Sequence, residues 1–307
     1  MRCRFRALRR AEERQGSKPR QYRYLWSVKP LSFFRQLAGS LLSPRKRLLR
    51  RTYTLQSVHL RRKVTLDVYR PAVPPWRLLS LVVFNDGQDL HRMDMAERLS
   101  RLFRSGNLPP TLVVGVHAGD RMREYGTVGR ADHAGNGEGA ADYEKFITLE
   151  LLPWLEQRNN LFHGPARRSI AGFSLGGLSA FDLAWRNPGA FRTAGVFSGS
   201  LWYRYANFDP ELPDANRIVH DYVARSKIGS IPNRFWFMAG TDDEAADRNN
   251  NGVIDAIDDT LQLMALLQEK GLKVGKDMAY VEVEGGKHEP ETWGRVIGDF
   301  LTWAVKS

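Results

Sequence analysis

Two short apolar runs, LLSLVVF (78–84) and TLVVGV (111–116), do most to constrain the fold. They are too short to cross a bilayer, and they lack the polar alternation of a strand with one wet face. Such runs read as strands buried on both faces of a parallel sheet. RSIAG (168–172), TAGVFSG (193–199), RFWFMAG (234–240) and MAYVEVEG (278–285) continue the series. Amphipathic stretches fall between them. MDMAERLSRLFRSG reads as a helix closed by Gly106, and AADYEKFITLELLPWLEQR as one long helix over 140–158. Further helices are expected from Leu175 to Arg186, through DDTLQLMALLQEKG and through ETWGRVIGDFLTWAVK. TYTLQSVHL and KVTLDVY alternate around two arginines and read as an antiparallel pair. The pattern predicts an α/β fold with a mostly parallel central sheet and helices on both faces, undivided from residue 52 to 307.

The net charge of +12 suggests nucleic acid until it is located. Residues 1–51 hold 16 Lys/Arg against Glu12 and Glu13, so the remaining 30 bases and 32 acids leave the body at −2. The excess therefore belongs to an N-terminal extension, and no nucleic-acid partner is expected. That extension has no uninterrupted apolar stretch of the signal-peptide kind. It reads either as a disordered extension or, through LSFFRQLAGSLL (31–42) followed by SPRKRLLRR, as a basic amphipathic helix lying on an anionic membrane surface. Cys3 is the only cysteine, which excludes an internal disulfide and a cysteine-based zinc site.

In parallel sheets chemistry gathers at the carboxyl ends of the strands. One such loop contains Gly172-Phe173-Ser174-Leu175-Gly176, a G-x-S-x-G pattern that arises by chance in about one chain in ten of this length. Here it lies between a predicted strand and an apolar helix. That context makes Ser174 a candidate nucleophile and the N–H of Leu175 one half of an oxyanion hole. A serine hydroxyl needs a base, and in this architecture the order is serine, acid, histidine. His220 and His288 follow Ser174. His288 sits in a glycine-rich loop after the last predicted strand and is the expected base; His220 lies in a helical or irregular excursion. The acid is expected among Asp242, Asp243 and Glu244, which spacing does not separate. The second oxyanion donor is expected in VVFNDGQDL, where Gly87 permits close backbone approach and Gln88 offers its N–H.

VVFNDGQD, VVGVHAGDRMREYG, RRSIAGFSLGGLSAF, FRTAGVFSGSLWY, FWFMAGTDDE and EGGKHEPETWGRVIGDFLTWA together resemble the "putative esterase" family of α/β-hydrolases. That family includes enterochelin-esterase-like enzymes, feruloyl esterase domains and mycolyltransferases. The resemblance implies an α/β-hydrolase fold and a serine esterase with Ser174 as nucleophile, His288 as base, and Gln88 and Leu175 as oxyanion donors. It points to Asp243 as the acid, with Glu244 as the alternative. Arg121, Glu124 and Tyr125 match a recurring segment beside the pocket, with contact to substrate and bracing of the loop both open. The expected substrate is a small-molecule or carbohydrate ester, and no organic cofactor is implied. Two other functions use the same residues or fold: acyl transfer to a sugar or lipid hydroxyl, and a non-catalytic calcium-dependent or membrane-surface binding module.

DRNNNGVIDAID (247–258) has the spacing of a calcium loop inserted shortly after the acid. Asp247, Asn249, Asn251, the Val253 carbonyl, Asp255 and Asp258 would supply oxygens, and Gly252 the sharp turn. The usual final Glu is replaced by Asp258. The expectation is a structural Ca2+ that braces the loop carrying the acid. Lack of a signal peptide predicts a cytoplasmic protein, whereas a calcium loop points outward, because cytosolic calcium is scarce.

Overall fold

Strand formation follows the apolar runs. The computed structural model describes residues 48–227 and 233–305, so the expectations for the extension, Cys3 and the 31–42 segment fall outside the described residues. Among these, eight strands form one sheet: β1 (Leu48–Ser57), β2 (Arg62–Pro71), β3 (Ser80–Phe84), β4 (Thr111–Val116), β5 (Arg168–Phe173), β6 (Thr193–Phe197), β7 (Arg234–Asp242) and β8 (Met278–Lys287). Their order is β1-β2-β4-β3-β5-β6-β7-β8. β1 and β2 pair antiparallel, β2 runs antiparallel to β4, and the other pairings are parallel. β1 opens at Leu48, inside the basic run and ahead of the expected start at 52.

The helices are α1 (Met95–Ser105), α2 (Arg121–Glu124), α3 (Ala140–Lys145), α4 (Leu152–Arg158), α5 (Leu175–Arg186), α6 (Ile218–Arg225), α7 (Asp255–Glu269) and α8 (Pro290–Ala304). Because side chains alternate along a strand, β3 sends Leu81 and Val83 to one face and Val82 and Phe84 to the other. Leu81 and Val83 join a core with Phe146, Leu155, Leu178, Phe181, Val223 and Leu267. Val82 and Phe84 join a second core with Leu99, Trp293, Ile297 and Phe300. Thus α1 and α8 cover one face, while α3 to α7 cover the other.

The long helix expected over 140–158 is interrupted. Phe146–Leu151 winds as a π turn between α3 and α4. Pro153 lies in the first turn of α4 and has no N–H for the carbonyl four residues back, so the chain widens before it. No helix among the described residues is long and apolar enough to cross a membrane.

His220 is a structural residue in α6. It is 5% exposed, its Nε2 lies 2.9 Å from the Asp259 carbonyl, and Arg217 stands beside it. Burial, reinforced by the Arg217 charge, lowers its pKa to about 3. The unfolded chain therefore binds this proton more readily, and the contribution present above pH 6.5 is lost as pH falls. Between pH 6.5 and 4.5 the loss amounts to about 2–3 kcal/mol. His220→Gln is expected to flatten that part of a urea-midpoint profile against pH; an unchanged slope would refute the assignment.

Candidate active site

Ser174 lies where β5 turns into α5. Its backbone is at φ 54°, ψ −124°, a conformation that side chains other than glycine's rarely adopt. Four backbone hydrogen bonds hold it: Ser174 N–H donates to Phe197 O (2.9 Å), while the N–H groups of Gly177 (2.9 Å), Leu178 and Ser200 (both 3.1 Å) donate to Ser174 O. The turn also depends on contact distances. A Cβ on Gly172 would collide with the backbone of Gly176, and one on Gly176 would stand 2.5 Å from Asp86 Oδ2. The Ser174 hydroxyl meets Ser200 Oγ at 3.3 Å. Leu175 opens α5, so its N–H is among those that a helix leaves without an intrahelical acceptor.

The loop after β3 lies against this turn. Asn85 donates through Nδ2 to Gly176 O (2.7 Å) and accepts from the Tyr143 hydroxyl (2.7 Å). Asp86 is 2% exposed, adopts φ 55°, and donates its N–H to Tyr125 Oη (3.0 Å). Burial raises its pKa, opposed by Arg121, which binds both carboxylate oxygens at 2.9 and 3.2 Å. Arg121 also donates to Phe173 O, the residue before Ser174, at 3.1 Å. Glu124 accepts two bonds from Arg62, each 2.6 Å. Arg121 and Tyr125 thus brace the loop after β3, while Glu124 braces the loop after β4 through Arg62 and the N–H of Gly119. The Gln88 side chain is tied to it as well, donating to Asp86 Oδ1 (3.2 Å) and accepting from Ala118 N–H (3.1 Å).

Asp243 and His288 meet at the ends of β7 and β8. A register shift between Gly240 and Asp242 pairs Asp242 with Lys287, so the next residue on each strand is Asp243 and His288. Gly240 allows this approach, since a Cβ there would strike the backbone of Gly286. The Asp243 side chain is fully buried and its Oδ1 stands 3.4 Å from His288 Nδ1. Asp242 and Glu244 are exposed. Trp293, at the start of α8, connects the two halves of the site. Its ring meets His288 edge-on at 5.4 Å and stacks on Phe173 at 4.9 Å, and its Nε1–H donates to Ser198 Oγ (2.9 Å). Sequence reasoning missed Trp293 and Ser200. Trp293 carried a signal, as a large aromatic in the otherwise polar first turn of the helix after His288.

The residues of the 247–258 loop, as arranged, do not fit a calcium cage. Asp247 accepts from the N–H groups of Asn251 (3.1 Å) and Gly252 (2.9 Å), and Asn251 Oδ1 from Val253 N–H (2.8 Å). Asn249 donates through Nδ2 to Asp258 (3.0 Å). The cation among these carboxylates is Arg248, whose side chain is 4% exposed. It pairs with Asp214 (2.7 Å), Asp255 (2.9 Å), Asp258 (3.1 Å) and Asp259 (3.0 Å). Among the described residues no three acidic, His or Cys side chains gather where they could share a metal ion. Spacing alone could not reveal an arginine turned inward at the second loop position.

Strand order and a strained serine between strand and helix define an α/β-hydrolase. The model of the family described as "Putative esterase" matches residues 57–301, and the chain belongs to that family. YbbA of Bacillus subtilis (strain 168), an uncharacterized protein, is 30% identical over 132 residues, 41% of this chain and 51% of YbbA. The chain thus spans about half the length of this relative. A ferulic acid esterase superposes with a TM-score of 0.64 at 17% identity, over 84% of this chain and 98% of that one. The enterobactin esterase FES from Shigella flexneri gives 0.66 at 20% identity, over 83% of this chain and 58% of its own. At such identities these structures establish the shared fold.

Three expectations follow. Removing one partner of a buried ion pair costs about 3–5 kcal/mol, so Arg248→Ala should lower stability to urea by an amount of that order. Wild type should melt at the same temperature in calcium and in chelator; a large shift with calcium would restore the metal reading. Arg121→Ala should lower kcat by about 10- to 100-fold with a smaller change in KM, because it loosens Asp86 without removing a reacting group. An unchanged kcat would show that the brace does not reach the chemistry.

Proposed function

We propose that this protein hydrolyses a carboxylic ester through an acyl-enzyme formed on Ser174. The observation that carries the reading is the buried Asp243 carboxylate facing His288 Nδ1 at 3.4 Å, with Trp293 joining that imidazole to the strand end that bears Ser174. Asp243 holds the imidazole with Nδ1 protonated, leaving Nε2 to take the Ser174 proton as Oγ attacks the ester carbonyl. The N–H groups of Gln88 and Leu175 donate to the oxyanion as its charge develops. When the C–O bond breaks, the imidazolium returns the proton to the departing alkoxide. Water then adds to the acyl-enzyme with His288 again as base, releasing the acid and restoring Ser174 Oγ–H. The His288 side chain is 43% exposed, so water can reach it.

Support for an aromatic or apolar acyl group comes from exposed apolar side chains in the loops that also carry Ser200 and Arg121. Trp202 lies two residues beyond Ser200 and is 45% exposed, and Met122 lies beside Arg121 and is 49% exposed. Two proteins with this fold are named for ferulic acid and enterobactin. The brace of the acid loop is read as Arg248.

Hydrolysis of p-nitrophenyl acetate, p-nitrophenyl butyrate and methyl ferulate by wild type, Ser174→Ala and Asp243→Asn tests the proposal. Ser174→Ala should be inactive and unlabelled by a fluorophosphonate, and Asp243→Asn should lose about 10⁴-fold in kcat. Glu244→Gln should stay within a few-fold of wild type. Labelling that survives in Ser174→Ala would sink the assignment. Product analysis with an added alcohol would reveal acyl transfer.

A further inference from the structure

At the outer edge of the sheet, between the β1–β2 ribbon and α4, lies a cavity of about 460 Å³. Arg51, Arg70 and Arg158 face it, and Tyr53, Trp154 and Leu49 supply its aromatic and aliphatic walls. Tyr53 meets Trp154 edge-on at 5.3 Å, and the Arg158 guanidinium lies 4.5 Å over the Trp154 ring. None of the described lining residues is acidic. Strand alternation shows the contrast. Arg50 points to the opposite face, where Asp67 pairs with it at 3.2 Å, whereas its neighbour Arg51 points into the cavity. Three guanidinium groups around one half-apolar hollow repel one another and attract a counter-anion.

The rim adds a second feature. Trp76 is 78% exposed, the most exposed aromatic side chain among the described residues, and its carbonyl accepts from Asn160 Nδ2 at 2.9 Å. Asn159, the preceding residue, lines the cavity. Arg77, next to Trp76, is exposed as well. An exposed tryptophan next to an exposed arginine, near a cationic groove, is the pairing found where proteins meet the headgroup region of a bilayer.

We propose that this groove binds the phosphate headgroups of an anionic membrane surface, with Trp76 entering the interface. Charge decides between occupants. Residues 1–47 hold 14 Lys/Arg and two Glu, the same sign as the groove, so that segment cannot neutralise it. It runs directly into β1 and strengthens attraction to the same anionic surface. Residues 52–307, which include Arg70 and Arg158, carry a net −2, so the positive charge at the groove is local and does not reflect a basic body.

The test uses the full-length chain with vesicles of phosphatidylcholine, alone and with phosphatidylglycerol at roughly one lipid in three. Wild type should sediment with the anionic vesicles only. The triple variant R51Q/R70Q/R158Q should lose about a hundredfold in partitioning, at about 1 kcal/mol per surface arginine, with unchanged melting temperature and ester hydrolysis. Trp76→Phe should remove the tryptophan quenching that brominated lipid causes in wild type. Triple-variant binding equal to wild type would overturn the proposal and assign adsorption to the N-terminal segment alone. No binding by wild type would overturn it too. A melting shift with inorganic phosphate, absent in the triple variant and without vesicle binding, would overturn the membrane source and leave a pocket for a soluble anion.

Discussion

The unfavourable backbone conformation of Ser174 is the constraint around which the rest of the site is arranged. Such a conformation costs of order 1–3 kcal/mol and persists only where the surroundings over-determine it. Here the strand beside it, the loop after that strand and the helix after it each contribute a hydrogen bond, and two glycines remove the Cβ atoms that would open the turn. The close approach at Gly176 admits Asp86, and Asp86 in turn requires Arg121. A single strained residue thus specifies a shell of buried polar groups that would serve no purpose around a relaxed loop.

Those groups follow one electrostatic pattern. Arg121 with Asp86, Arg62 with Glu124, and Arg248 with its four aspartates are each a largely buried guanidinium against carboxylate. Desolvation consumes much of the Coulomb gain of such pairs, so they add less to net stability than their number suggests. Their value is directional, because the planar fork of arginine fixes the distance and plane of a carboxylate more narrowly than apolar packing does. Two of the three clamp the loops after β3 and β4, and the third holds the chain just beyond Asp243. Apolar packing forms the scaffold, and arginine forks set the loops upon it.

What the sequence revealed follows the same division. Strands and most helices were legible because burial imposes periodicity, and the helix from Leu175 to Arg186 was found with its boundaries. The helix over 140–158 was over-read, because a proline one residue into a new helical segment leaves the apolar spacing intact while widening the turn before it. Proximity of Asp243 to His288 was legible through chain order, but the choice among three adjacent acids was not. It rests on a bulge between Gly240 and Asp242 that turns Asp243 inward and leaves its neighbours in solvent. The calcium spacing is ambiguous for a related reason. Turn-forming Asp, Asn and Gly bond to backbone N–H groups as readily as they coordinate a cation, and a motif does not record which way Arg248 points.

Topology also bears on which ester can reach Ser174. Ser174, Asp243 and His288 lie at the carboxyl ends of parallel strands, as does the loop of Gln88. The cationic groove lies at the other end. Arg70 stands near the end of β2, which runs antiparallel to β4, and Asn160 bonds to Leu79 just before β3 begins. A chain seated on a membrane by that groove would hold Ser174 at the opposite end of the sheet from the bilayer. The acyl donor would then arrive from solution and not from the bilayer. On the proposed reading, that arrangement favours an ester dissolved in water over a membrane lipid as the acyl donor.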